Sequence, residues 1–124
     1  MYILLYKNIH TALIMGKKRA YSRYSNAAAE LLGKAIQLGR KERKWTAQEL
    51  AERAGIARGT LIKIEKGDMR CEIGLVFEVA ALVGVKLFDV DESQLTMNID
   101  RFNDKIALLP KSIRPPSKVV HDDF

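Results

Sequence analysis

The 124-residue chain carries one cysteine, Cys71, so it can form no internal disulfide, and a lone thiol suits a reducing cytoplasm. Its two histidines, His10 and His121, lie far apart, so no His/Cys ligand cluster can be assembled, and neither a metal nor a cofactor is expected. Long apolar runs are missing too. MYILLY at the start and the twelve residues from Glu72 to Val83 (EIGLVFEVAALV) both fall short of the roughly 20 needed to cross a bilayer, so no membrane partner is expected. Paired carboxylates, a Ser-His arrangement and a phosphate-cradling glycine loop are all absent. An enzyme is therefore not expected.

Apolar residues make up 48% of the chain and charged ones 29%, the balance of one globular domain with arms or tails. Charge is unevenly placed. Residues 1–70 hold 15 Lys and Arg against 6 Asp and Glu, a net of +9, whereas residues 71–124 hold 6 against 9, a net of −3. A basic half suits a polyanion; the acidic half needs another role.

Thr46 to Gly67, TAQELAERAGIARGTLIKIEKG, lies in the basic half and organises the chain. Thr46 with Glu49 three residues on forms a capping box, Leu50, Ala51 and Ala54 supply an apolar stripe, and Gly55 suits the left-handed residue that ends a helix. A second helix from Ala57 or Arg58 places Leu61 and Ile64 inward, with Arg58, Gly59, Thr60, Ile62, Lys63 and Lys66 outward. This is the plan of a helix-turn-helix, whose second helix enters the DNA major groove.

On these residues the chain resembles the lambda-repressor-like (XRE/Cro-type) helix-turn-helix family from about Leu31 to Phe88, matching its capping Thr, small Ala, turn Gly and closing Ile-Glu-Lys-Gly. One departure is Ala47, where the family very often has a Gln that holds a phosphate and braces the first reading residue. The resemblance implies an all-α, five-helix DNA-binding domain with an N-terminal arm and an extended C-terminal tail. Base contacts are expected from Arg58, Gly59 and Lys63, with Thr60 and Ile62 beside them. Arg58 can bond O6 and N7 of guanine together. Lys63 can do the same or hold a phosphate, Gly59 offers no side chain, and Ile62 either touches a thymine methyl or is partly buried. Phosphate contacts are expected from Thr46, Ala47, Arg40, Lys66 and Arg70. The resemblance also pairs Arg40 with Glu65, tying the first helix to the end of the recognition helix. A longer match, adding EIGLVFEVAALVGVKLF and LLPKSIRPP…DDF, is to HipB-like antitoxins. It implies a homodimer that binds double-stranded operator DNA, represses its own operon and neutralises a HipA-type serine/threonine kinase. The alternatives are a stand-alone repressor and a protein-only adaptor that keeps the helix-turn-helix as scaffold.

The remaining segments divide as follows. Residues 1–25 form an N-terminal extension and basic arm, 26–89 the helix-turn-helix domain, 90–110 a dimerisation or packing helix, and 111–124 a flexible tail. Met1–Ile14 is read as an upstream extension, with translation from Met15; an edge strand or membrane-touching segment is the other reading. Lys17, Lys18, Arg19 and Arg23 either reach DNA as an arm or form a solvated basic tail. Asn26 caps a first helix running to Lys44, with Leu31, Leu32, Ala35, Ile36 and Leu38 inward and Gly39 a weak point. Trp45 is expected in the core. Ile73, Val76, Phe77 and Ala80 are spaced for a buried fourth helix ended by Gly84, with Val85, Leu87 and Phe88 closing the core. Leu95, Ile99, Phe102, Ile106 and Leu109 follow the 4-3 alternation of a heptad seam, read as a dimer interface, and Pro110 stops that helix.

Overall fold

The computed structural model describes residues 19–116, so Lys17, Lys18, the Met1–Ile14 extension and the end of the tail lie outside the described residues. Five α-helices and no strand occur among the described residues: α1 (Arg23–Glu42), α2 (Ala47–Ala54), α3 (Arg58–Glu65), α4 (Ile73–Leu82) and α5 (Glu92–Ala107). The all-α, lambda-repressor-like helical fold expected from the sequence is the fold observed. Among the described residues, those up to Phe88 form one compact unit and those from Asp89 a second.

Helix α1 starts earlier than its sequence suggests. Ser22 is the cap, its Oγ accepting the Ser25 N–H at 3.2 Å, while the Asn26 side chain donates to the Tyr21 carbonyl. Arg23 therefore belongs to the first turn of a helix and not to an arm. The buried side of α1 is formed by Gly33, Ile36, Gly39 and Arg40, with Leu32 packed at its edge; Leu31 and Leu38, expected inside, are exposed. Helix α1 carries apolar residues on two sides, Leu32 and Ile36 inward and Leu31 and Leu38 outward, so the apolar pattern alone does not fix its rotation, and the side that turns inward is the one where glycines permit close approach. Gly39 is such a contact, since a Cβ there would meet the Val83 carbonyl at 2.8 Å.

Ile36, Leu50, Ala51, Leu61, Ile64, Val79, Ala80 and Val83 form the buried core of the first unit. Trp45 lies half-buried against it, as do Val85 and Leu87. In α4 the buried residues are Val79 and Ala80, followed by Val83; Val76 and Phe77 are half-buried and Ile73 is exposed. A helix without a polar face has no sequence marker of phase, which explains the shifted expectation. Phe88, expected to close the core, stands out in solvent with φ of 57° in a short 3-10 turn (Leu87–Asp89). Helix α4 ends at Leu82, with Val83 as its C-cap and left-handed Gly84 following.

Helix α5 is capped by Asp91, whose carboxylate accepts the Gln94 N–H at 3.0 Å while the Gln94 side chain accepts the Asp91 N–H at 3.3 Å. It ends at Ala107, three residues before Pro110. Among the described residues no helix is long and apolar enough to cross a membrane.

Candidate nucleic-acid interface

The turn between α2 and α3 is built as the sequence specifies. Thr46 Oγ1 accepts the Glu49 N–H and Glu49 Oε1 accepts the Thr46 N–H, both at 3.0 Å. Gly55 takes φ of 70°, which an L side chain adopts only with strain, and the Ile56 N–H bonds back to the Ala51 carbonyl at 3.0 Å. Helix α3 then begins without a side-chain cap, and Leu61 and Ile64 anchor its inner face. Buried Leu50 and Ala51 of α2 belong to the same core.

The far end of α3 is fixed to α1 by an ion pair. Arg40 Nε donates to Glu65 Oε2 at 2.7 Å and Nη2 to Oε1 at 3.0 Å, while Nη1 donates to the Trp45 carbonyl at 3.0 Å. Both side chains are nearly buried. The two parallel bonds match guanidinium to carboxylate, and the Glu65 contact holds Arg40 above its ordinary pKa. The expected Arg40–Glu65 pair is thus present. Three of the five Arg40 N–H donors are taken by Glu65 and the Trp45 carbonyl, so it serves as a brace beside the groove where a phosphate contact was expected.

Arg70, exposed, pairs with a carboxylate of its own loop. Its Nη2 lies 2.9 Å from Asp68 Oδ2, and its Nε and backbone N–H both donate to Asp68 Oδ1. The Arg70 guanidinium holds the Asp68 carboxyl far below the usual carboxylate range. Its charge is answered locally and locks the loop after α3.

Elsewhere the outer surface keeps its expected cations. Arg58, Gly59, Lys63 and Lys66 are exposed, with Thr60 and Ile62 half-buried between them. Arg58, Lys63 and Lys66 make no ion pair among the described residues. Arg58, Ile62 and Lys66 line a groove of about 470 Å³ together with Glu30, Lys34, Gln37 and Arg40 of α1, Ala47 and Glu65. The capping box occupies the Thr46 and Glu49 amides, so the Ala47 and Gln48 N–H groups are the unbonded donors of the first turn. Lys34 and Gln37 were not singled out from sequence. Their signal was their i, i+3 spacing on one polar side of α1, which the two outward leucines obscured.

Of the supposed arm, Arg19 places its guanidinium 5.4 Å from the centroid of the Tyr21 ring. Trp45 is covered by Arg53 at 4.1 Å and Arg43 at 5.8 Å, so its faces are occupied by cations of its own domain. The Cys71 thiol is pushed up, first by burial and then by the Asp68 charge, which disfavours the thiolate, and the side chain packs against the core.

The capping box carries a pH dependence. Its bonds to Thr46 hold the Glu49 carboxyl below its ordinary 4.5, and Asp68 is likewise depressed below 3.8. Depressed carboxylates contribute stability above their unfolded pKa values and lose it as pH falls through the folded ones. Thermal melts between roughly pH 7 and pH 3 should show melting temperature falling below about pH 4.5, and less steeply in Glu49→Gln, which keeps the box without its charge. A flat profile to pH 3, or identical slopes, would contradict this.

These elements define a helix-turn-helix. A family model described as helix-turn-helix matches residues 36–90, spanning the end of α1 through α4. An uncharacterized HTH-type transcriptional regulator of Methanocaldococcus jannaschii is 40% identical over 45 residues, covering 36% of this chain and 68% of that protein. The chain belongs to this helix-turn-helix family. No solved structure matches it.

Proposed function

We propose that the chain is a sequence-specific DNA-binding transcriptional repressor that works as a homodimer. The observation supporting this most directly is the exposed, unpaired trio Arg58, Lys63 and Lys66 on a helix braced at both ends, by the Gly55 turn and by Arg40–Glu65. Arg58 and Lys63 face base edges, with Thr60 and Ile62 filling between them and Gly59 allowing close backbone approach. Lys66 and the Thr46–Ala47 helix start hold phosphates, which fix register without specifying sequence. A two-fold dimer doubles the half-site, and the Leu95, Ile99, Phe102, Ile106 and Leu109 stripe is its contact surface.

The acidic second half fits a protein partner held apart from DNA. In the HipB-like reading, that partner is a HipA-type serine/threonine kinase encoded beside this gene, and the repressed operon is the pair's own. Lys111 to Pro116 are all exposed.

Footprinting on the upstream DNA, with the full chain and with a chain ending at Pro110, separates the two claims. Both should protect half-sites whose centres lie about 10–10.5 base pairs, or a multiple, apart. Only the full chain should retain the kinase. Loss of protection in both would overturn the repressor, and equal kinase retention would overturn docking by the tail.

A further inference from the structure

The groove shared by α1 and α3 carries charge that no protein group answers, and every residue lining it belongs to the unit ending at Phe88. Arg40 and Glu65 neutralise one another there. That leaves Lys34, Arg58 and Lys66 against Glu30, and none of these four makes an ion pair among the described residues. Gln37 is half-buried in the same groove, and its amide makes no hydrogen bond among the described residues. A partly buried amide donor beside an excess of positive charge suits an anion.

Close contacts place this groove at the edge of the recognition helix. Gly33 lies so near the Ile64 and Glu65 carbonyl oxygens that a Cβ would meet them at 2.7 and 2.6 Å. Lys34 follows Gly33 and Lys66 follows Glu65, so both flank this contact at the C-terminal end of α3. Gln37 stands between Lys34 and Arg40 along α1, and Arg40 Nη1 reaches the Trp45 carbonyl just before α2. Lys34 and Gln37, three residues apart on a helix, share one of its faces.

We propose that Lys34 and Gln37 together hold one backbone phosphate of the DNA that α3 reads, Lys34 by its charge and Gln37 by an amide N–H. This rests on the DNA-binding reading above and adds α1 to its contact surface. A phosphate is the partner because α1 meets α3 at its C-terminal end, whereas base reading begins at the N-terminal turn, with Arg58. Position 47 lines the same groove with only a methyl group, so Gln37 supplies the one side-chain amide of the lining. Glu30, a turn before Lys34, bounds the site, because a phosphate beside it would meet like charge.

Binding of the full chain to its upstream DNA and to random duplex, across a salt series, tests this with Lys34→Ala and Gln37→Ala. Alanine favours a helix, so both variants should keep the wild-type circular dichroism. Lys34→Ala should weaken binding to both DNAs about tenfold at low salt and lower the salt slope by about 0.9, one phosphate's share. Gln37→Ala should weaken both about fivefold, roughly one hydrogen bond, and leave the slope alone because no charge is removed. Neither should change the preference for upstream over random DNA, since phosphates position without specifying. Ala47→Gln gives a second readout. In the Gln37→Ala background it should restore affinity, and in wild type it should add little, because one amide already fills the site. Variants that bind like wild type, or that lose the preference, would overturn the clamp and leave base reading by α3 intact. Equal gains from Ala47→Gln in both backgrounds would count against it in the same way. A wild type with no preference for its upstream DNA would overturn the repressor reading, and the clamp with it.

Discussion

Replacing Arg40 with alanine should lower stability by about 3–5 kcal/mol, the usual loss when one partner of a buried ion pair is removed. The size follows from what remains. Glu65 is 9% exposed, receives two guanidinium bonds and lies within the buried end of α3, so its carboxylate would be left without a partner where water reaches it poorly. The Trp45 carbonyl would lose its donor as well. Urea unfolding followed by helical circular dichroism reads the effect, and a loss under about 1 kcal/mol would mean that the pair is solvated in solution. The double change Arg40→Met with Glu65→Met should be far milder than either half-removal, because apolar side chains of similar volume leave no orphaned charge. Brace and function then separate cleanly: the double variant should fold and still bind DNA, provided α3 keeps its angle to α1.

Gly33→Ala is the second large effect, and its sign opposes local propensity. Alanine stabilises an unconstrained helix by about 1 kcal/mol relative to glycine. At Gly33 a Cβ would stand 2.6 Å from the Glu65 carbonyl oxygen and 2.7 Å from that of Ile64. These are backbone atoms, so no flexible side chain can yield. The helices must separate, straining the Arg40–Glu65 bonds beside them. A net destabilisation of about 1–3 kcal/mol is expected, in the range of overpacked cores. DNA affinity should fall with it, because the displaced element is the recognition helix. A Gly33→Ala protein as stable as wild type would show that α1 and α3 are not in close contact at this point.

These two sites also show what the sequence made legible. Arg40 with Glu65, the Thr46–Glu49 box and the Gly55 turn were readable because each depends on residue type at a fixed short spacing or on a resemblance resting on such spacings. Leu61 and Ile64 were readable because the cations around them give α3 a polar face. Gly33 and Gly39 were not, since a glycine chosen for close approach looks like a weak point until the neighbouring helix is known. The inward faces of α1 and α4 failed for the complementary reason, as α1 has apolar residues on two sides and α4 nearly all round, which leaves rotation to tertiary packing. Arg70 illustrates a third limit. A cation beside a recognition helix reads as a phosphate contact, and only the geometry shows that it also pairs with Asp68 two residues away.

The central claim is that α3 reads base edges. Its most direct test is binding to the upstream DNA and to random duplex across a salt series, with wild type and Arg58→Ala. Wild type should prefer its own DNA, and Arg58→Ala should lose about 1–3 kcal/mol of that preference while keeping most of the salt slope, because the remaining cations still neutralise phosphates. Equal, weak binding of both proteins to both DNAs would contradict the account and leave the helix-turn-helix a scaffold for protein contacts.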